Sequence, residues 1–426
     1  MNGNTKPVAV SEEFVNGVKL FICCVRNLDQ PHLLRAHAGG ANSQSCASSW
    51  GGFVAEWRET TLGDVTLNFD SRRVPIKTTE RKPGEYPYYG ASGIVDRIDG
   101  YLFDGDYLLI SEDGENLRSR STPIAFLASG QFWVNNHAHV VQASAGNDTR
   151  FLSHLLAVTD IAPYLSGSAQ PKLSRASMDK IAIRVPPEAT QRAIAEVLGA
   201  LDDKIAANTR LAAAAESLAV ALVSALPLKS TLGALVTHRR TMVAPDSLAD
   251  PVVEHFSLPS FDSGKHPELA APSSIKSGKF AIEQPSVLIS KLNPRIPRIW
   301  LTPTSTGVPQ LASTEFLVLA PRTVDPAVLW ALAMQPSFSA ALEGKVAGTS
   351  GSHQRVTPGD MLDTPIGDPT GLSSNDRFEI VSLCATAQSA RAENVNLAAT
   401  RDALLPALMS GRLHVKDAEK VVADAV

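Results

Sequence analysis

Two arginine pairs, Arg72-Arg73 and Arg239-Arg240, each follow a Thr-Leu-Gly opening, at Thr61-Leu62-Gly63 and Thr231-Leu232-Gly233. A guanidinium presents its donors in a planar fork that can grip a phosphate or the edge of a guanine. Further groups able to meet such partners lie in stretches broken by Gly, Pro, Asn and Asp, which read as loops. In the first half they are Lys77, Lys82, Arg118, Ser119, Arg120, Gln170 and Lys172. In the second half they are His238, Lys276, Lys279, Lys291, Asn293, Arg295, Arg298, His353, Gln354 and Arg355. Between residues 265 and 298, six Lys or Arg stand against two acids, Glu268 and Glu283. Phosphates are held by cations and small polar groups, and bases are read by bidentate donors and acceptors. These residues are therefore the candidate contacts to a nucleic acid. Taken one at a time, each reads more plainly as a solvated surface charge. Gln170 and Gln354 follow Gly-Ser turns, and either touch nucleic acid or close the turn.

Other groups invite catalytic readings. His137 and His139 alternate as on one strand face, which would suit a shared metal. No third ligand is evident, and a buried polar turn is the plainer reading. Glu112, Asp113 and Glu115 could do acid–base or nuclease chemistry, but a nuclease also needs a lysine tied to paired acids. Asp113-Gly114-Glu115-Asn116 reads as a turn instead. Tyr86, Tyr88 and Tyr89 could stack on bases; packing around a glycine turn is the simpler expectation. Nucleotide-binding glycine loops, nucleophile constellations and the Asn/Asp-Pro-Pro-aromatic motif of an amino-methyltransferase are not found. Asn293-Pro294-Arg295-Ile296 fails that last motif at two positions, and the chain is expected to be non-catalytic.

The elements that must position these residues are written twice. Leu108-Leu109-Ile110-Ser111 has a counterpart in Val287-Leu288-Ile289-Ser290, Gly167-Ser168-Ala169-Gln170 in Gly351-Ser352-His353-Gln354, and Met178 in Met361. The offset drifts from about 170 to about 186, as loop insertions in one copy would produce. Each copy opens with short apolar runs that read as strands, at Tyr107–Ser111, Pro123–Leu127 and His139–Gln142, then at Ser286–Ser290 and Glu315–Leu319. Phe151–Thr159 and Ala327–Gln335 read as helices. Each copy closes with a long apolar periodicity in three- and four-residue steps, the mark of a coiled-coil seam. In the first copy the expected pairing residues are Ile194, Leu198, Leu201, Ile205, Asn208, Leu211, Leu218 and Leu222. In the second they are Ile380, Leu383, Asn394, Leu397, Leu404 and Leu408, with Ala387 and Ala390 between. Asn208 and Asn394 interrupt the seams at equivalent places, where a polar residue fixes register. Pro186-Pro187 precedes the first helix, and Gly411 follows the second as a stop.

The pattern predicts an α+β fold with two globular domains in pseudo-twofold arrangement, separated by a pair of long antiparallel helices. The expected boundaries are an extension over 1–55, a first globular domain over 56–187 and a long helix over 188–227. A second globular domain over 228–373, a long helix over 374–412 and a tail over 413–426 complete the chain. The competing arrangement has each helix packed on its own domain. A length of 426 residues accommodates these parts. Four cysteines (Cys23, Cys24, Cys46, Cys384) have neither disulfide-framework nor zinc-site spacing, which favours a reducing cytoplasm. No apolar run approaches the roughly 20 residues needed to span a bilayer; the nearest candidate, Val18–Val25, is too short. The net charge of −4 argues against nucleic-acid binding unless the cations are gathered into patches.

The order globular, helix, globular, helix resembles the specificity subunit of type I restriction-modification systems. Trp57–Val65, Tyr86–Ile94, Gly105–Ser111, Val134–Val140, Gly167–Leu173 and Ile183–Pro187 are similar to that family's recognition domain. Leu288–Arg295 and Leu408–Leu413 resemble a second version of it and its C-terminal end. Asp368-Pro369-Thr370-Gly371 departs from the double proline of the first copy. The resemblance implies that each globular domain reads half of a bipartite site in double-stranded DNA. It implies that the helices set the spacing and dock two methyltransferase (modification) subunits. No cofactor is expected on this chain: S-adenosylmethionine and ATP would belong to partner subunits, and the presence of a restriction or motor subunit stays open. The alternatives are a coiled-coil scaffold that binds proteins, and a companion chain with nuclease or methyltransferase activity of its own.

Overall fold

The computed structural model describes residues 57–303, 307–345 and 354–426. The extension expected over 1–55, with its three cysteines, and His353 lie outside the described residues. The chain divides into two units: residues up to Lys204 with Leu397–Val426, and Ile205–Asn396.

In the first unit, the apolar runs become a four-stranded antiparallel sheet in the order Thr66–Asn68, Ala138–Ala143, Tyr107–Ser111, Ala125–Ala128. All of Tyr107–Ser111 is buried. A strand covered on both faces has no use for polar alternation, which is why it reads as an unbroken apolar run. Phe103, Tyr107, Leu109, Phe132 and Val140 build the core on one side. The helix Thr149–Val158, capped by Asp148, which accepts from the Phe151 N–H, packs on the sheet. A second sheet holds the hairpin Pro83–Gly90 and Gly93–Ile98 beside Gln131–Val134 and Phe103–Asp104. Arg58–Thr61 pairs with Ala182–Val185 and draws together the two ends of the globular part.

The second unit repeats this scheme. Its four-stranded sheet runs Val236–Arg239, Phe316–Pro321, Val287–Ser290, Ile299–Leu301, the same order of counterparts. The helix Pro326–Ala333 is buried along its length and packs on this sheet. Ser230–Thr231 pairs with Pro365–Ile366. The repeated Thr-Leu-Gly opening has a packing cause. A Cβ on Gly63 would stand 2.8 Å from the Asp179 side chain, and one on Gly233 would stand 3.1 Å from the Leu362 carbonyl. In both copies the glycine lets the opening turn lie against the turn that carries Met178 or Met361.

The long helices span Glu188–Leu222 and Ser374–Met409. The second starts at a capping box: the Ser373 hydroxyl accepts from the Asp376 N–H at 3.1 Å while the Asp376 carboxylate accepts from the Ser373 N–H at 3.2 Å. Gly411 ends it with a left-handed φ of 72°. The first helix stops at Leu222, not 227: the Val223 and Ser224 N–H groups donate three residues back, to Val220 and Ala221, in tight turns that leave the helix, and Pro227 disfavours helix at the residue before it.

The seam of the first helix differs from expectation. Ile194, Leu198, Leu201 and Asn208 are buried, and Ile205 is partly so. Leu211 and Leu218, expected in the seam, are 49 % and 48 % exposed; Ala215, which falls between them in the same stepping, is buried, and Ala212, Ala219 and Val223 are buried with it. The three- and four-residue steps run on through Asn208 without restarting at the bulkier leucines. Leu222 is partly buried against the core of the second unit. In the second helix Ile380, Leu397, Leu404 and Leu408 are buried, and Leu383 is partly buried against the alanines of both helices, with Cys384 buried beside it.

Within the second unit, segments 205–222 and 374–396 run antiparallel. Asn208 donates to Glu393 at 2.8 Å, and Asn394 donates to the Ile205 carbonyl and the Thr209 hydroxyl, each at 3.2 Å. Ala212 and Ala215 cluster with Ala387 and Ala390. Ala219 and Val223 share a core with Ile380, Cys384, Leu329 and Trp330, so this stretch packs on helix and globular part alike. Within the first unit, Arg401 donates to Asp202 at 2.8 Å.

Candidate nucleic-acid interface

The first domain's polar turn is built around Gly167. Its φ is +84°, and a Cβ there would meet the Gln170 carbonyl at 2.2 Å, so only glycine fits. The turn closes through paired backbone bonds of 2.9 and 2.8 Å between Ser166 and Lys172. Arg118 donates to the carbonyls of Gly167 (2.6 Å) and Ser168 (3.1 Å), which ties this loop to the segment after Tyr107–Ser111. Gln170 is exposed on the turn, and Lys172 sits beside Glu112 at 3.3 Å with its side chain 53 % exposed.

Arg72 is exposed; its guanidinium lies 4.7 Å from the Phe103 ring centroid and donates to the Leu102 carbonyl at 2.7 Å. Lys77 and Lys82 are exposed. Two other candidates are internal. Arg73 donates to Glu112 at 2.8 Å and to the Ala138 carbonyl at 2.7 Å, and pairs with Asp70 at 3.4 Å. Arg120 donates to the carbonyls of Leu156 and Ala157 at 3.3 and 3.0 Å, and to that of Thr159. A cation on the free carbonyls at a helix C-terminus satisfies acceptors that would otherwise go unpaired. Arg120 is thus a cap for Thr149–Val158.

In the second domain, segments 291–293 and 354–356 are brought together: Asn293 N–H donates to the Gln354 carbonyl (2.8 Å) and Val356 N–H to the Lys291 carbonyl (3.0 Å). Asn293 takes a left-handed φ of 51° at this turn. Burial, with the charges of Arg240 and Lys291, pushes the His238 imidazole below its ordinary value. These three residues therefore share a locally positive environment. Arg239, Arg240, Lys276, Arg295 and Arg355 are exposed, Arg355 beside Glu315 at 3.0 Å, and Lys291 and Gln354 are half-buried. Arg298 and Lys279 are structural instead. Arg298 forms a two-pronged pair with Asp262 at 2.7 and 2.8 Å. Lys279 is buried and donates to the Ser277 carbonyl and hydroxyl at 2.8 and 2.7 Å.

The two histidines do not share a ligand. His137 meets Asp113 at 2.8 Å, half-exposed, while His139 is buried between Asp70 and the Leu173 carbonyl. No group of three or more His, Cys, Asp or Glu placed to hold a metal occurs among the described residues. Glu112 is a member of the charge network with Arg73 and Lys172, more than a turn residue. The tyrosines pack: Tyr88 is buried with its hydroxyl accepting from the Ile76 N–H at 3.0 Å, Tyr89 lies against Phe126 and Phe132, and Tyr86 against Tyr101. The residue most clearly missed from sequence is Gln191. Buried at the start of the first long helix, it accepts from the Asp148 N–H (3.0 Å) and donates to the Pro186 carbonyl (2.8 Å). It welds helix to domain, and only the double proline before it hints at a junction.

Residues 55–217 match the family model described as the type I restriction modification DNA specificity domain. Over 151 residues, 35 % of this chain, it is 38 % identical to a Haemophilus influenzae protein named as a putative type I restriction enzyme specificity subunit. Over 150 residues, 34 % of the chain, it is 28 % identical to the EcoprrI specificity subunit of Escherichia coli. The matched stretches span 38 % and 36 % of those relatives' lengths. The fold is similar to the crystal structure of a type I restriction-modification system S subunit from M. genitalium. The TM-score is 0.54 at 12 % identity, covering 83 % of this chain and 96 % of that one.

Proposed function

From the match of residues 55–217 to the type I restriction modification DNA specificity domain, we propose that this chain is a non-catalytic DNA specificity subunit of that family. Each globular domain reads one half of a bipartite duplex target. The two long helices, paired antiparallel, set the distance between the halves and dock two modification subunits. Those subunits carry S-adenosylmethionine; a motor subunit, where one joins, carries ATP. The complex works in the cytoplasm, and no described helix is long and apolar enough to cross a membrane.

The observation that carries this reading is the repetition of sheet order with cations on matching loops. Arg72 and Arg239-Arg240 follow the two opening turns. Lys172 and Arg355 stand just before the paired bonds from Leu173 to Glu112 and from Val356 to Lys291. The domains differ in side chains on that common frame, so they would read different half-sites. Apolar side chains left exposed on the helices, Leu211, Leu218, Phe378 (74 %), Val381 and Val395, support docking of a protein partner.

The test is the salt dependence of duplex DNA binding by the chain, alone and with a co-expressed modification subunit. Each phosphate that the protein neutralises steepens the fall of log affinity with log salt by about 0.9. A slope equal to several neutralised phosphates supports the reading. A flat response favours the scaffold that binds protein alone, the reading its net charge of −4 favours.

A further inference from the structure

The strand Ala138–Ala143 places His139 opposite Ile110, with 1 % of the residue exposed. Its Nδ1 is 2.6 Å from an Asp70 carboxylate oxygen, and its Nε2 is 2.8 Å from the Leu173 carbonyl. Neither partner has a proton to give once Asp70 is ionised. Burial works against that ionisation, but hydrogen bonds from His139 and from the Val140 N–H, at 2.8 Å, hold the Asp70 carboxyl below its ordinary value. Both ring nitrogens must then carry protons, and the buried ring is an imidazolium.

The carbonyl it holds belongs to the polar turn. Leu173 is fully buried and follows Lys172 directly. Its N–H donates to the Glu112 carbonyl at 2.8 Å, while the Glu112 carboxylate faces Arg73 (2.8 Å), Lys172 (3.3 Å) and His139 (3.8 Å). The groups facing the ring are thus Asp70 and Arg73 from the segment after the first sheet strand, Glu112 from the end of Tyr107–Ser111, and Lys172 with the Leu173 carbonyl from the turn itself. The other ties of the turn are backbone bonds, the Ser166 hydroxyl on the Lys172 carbonyl at 3.2 Å, the Lys172–Glu112 pair and the Arg118 clamp, whose groups do not ordinarily titrate near neutrality.

We propose that His139, as an imidazolium, is the positioning residue that holds the turn Gly167–Lys172 in register for contact with duplex DNA. The inference rests on the DNA-reading role argued above. Loss of the proton leaves the buried Leu173 carbonyl facing a nitrogen lone pair, and the turn loosens. Burial pushes the imidazole down, but the bonds to Asp70 and Leu173 and the charges of Asp70 and Glu112 outweigh it and raise it above its ordinary value. The sign follows: the hold is complete below the ordinary histidine value of about 6.5 and is lost as pH rises through the higher value in the fold.

The experiment uses the full chain, its His139→Gln variant and the conservative Asp70→Asn variant. Three readouts are followed from about pH 6 to about pH 9: imidazole resonances, amide exchange of residues 166–173, and affinity for duplexes that the wild-type chain selects from a random pool. In the wild type, one imidazole is expected to stay cationic past the ordinary value. Protection at 166–173 and affinity fall together as it deprotonates, affinity by about tenfold, the effect of unpairing one buried acceptor. His139→Gln removes that resonance and flattens both profiles, and Asp70→Asn moves the midpoint down. A pool that yields no duplex overturns the DNA-reading role. A selected duplex bound with one pH profile by wild type and His139→Gln, with equal exchange at 166–173, overturns the imidazolium. Should His139→Gln fail to fold, an Asp70→Asn chain with an unmoved midpoint overturns it as well.

Discussion

Arg72 and Arg73 are neighbours in the chain with opposite surroundings. Arg72 lies on an aromatic face in contact with solvent, while the Arg73 side chain, 13 % exposed, joins Asp70 to Glu112. Arg73→Ala should cost about 3 kcal/mol in chemical denaturation, since it strands two carboxylates that are largely out of water. Arg72→Ala should leave the melt nearly unchanged and lower the salt slope of DNA binding by about one phosphate's share. The sequence marks both as arginines after a Thr-Leu-Gly turn; Asp70 stands three positions before Arg73, but Glu112 is 39 positions away and no spacing rule connects it. The same applies to Arg298 and Asp262. His139 is noticeable in its Asn-Asn-His-Ala-His run, yet Asp70 is 69 positions away. Burial pushes the Cys384 thiol up to about 12. Iodoacetamide at about pH 8 should therefore spare Cys384 in the native chain and label it only after denaturation, which peptide mass spectrometry would read.

At the scale of elements, periodicity locates both long helices and most of their buried positions, because a 3.5-residue apolar step has few other causes. It misleads after Asn208, where bulk is a poor sign of burial. Leu211 and Leu218 look like seam residues beside alanines, but Ala212 and Ala215 are the ones that cluster with Ala387 and Ala390, which periodicity does place in the second seam. Small residues allow the helices to approach closely, so size alone misplaces the seam there. Ala387→Leu should lower stability by about 1–3 kcal/mol through overpacking, whereas Leu211→Ala should change it by less than about 0.5 kcal/mol. Thermal melts followed by circular dichroism would separate the two. The pair Glu216 and Arg391, 2.7 Å apart with Lys265 at 3.1 Å, adds an acid dependence. Burial raises the Glu216 carboxyl, but Arg391 and Lys265 bring it below its ordinary value. Its contribution is present above about 4.3, the unfolded value, and is lost as pH falls through the lower folded one. Glu216→Gln should blunt the loss of melting temperature in that acid range.

For the whole chain, the drift in offset between the copies betrays a common plan, and the two sheets share strand order with different side chains. The first copy is the easier to read, since its turns keep their glycines where a positive φ is needed. In the second copy the charges at 279 and 298 give no sign of being drawn inward, since a lysine held by a nearby serine and an arginine held across a loop both look like surface cations in text. One contact bears on the chain as a whole. A Cβ on Gly411, at the end of the second long helix, would come within 2.7 Å of the Trp57 indole nitrogen, at the start of the first domain. Within the first unit, the start of the globular domain and the end of the second long helix therefore meet. A circularly permuted chain opened in the exposed stretch 227–229, with Val426 joined to Trp57 through a flexible linker so that the helix Val415–Ala423 and its buried Ala418 and Val422 are kept, would retain every strand pairing and should melt close to the original.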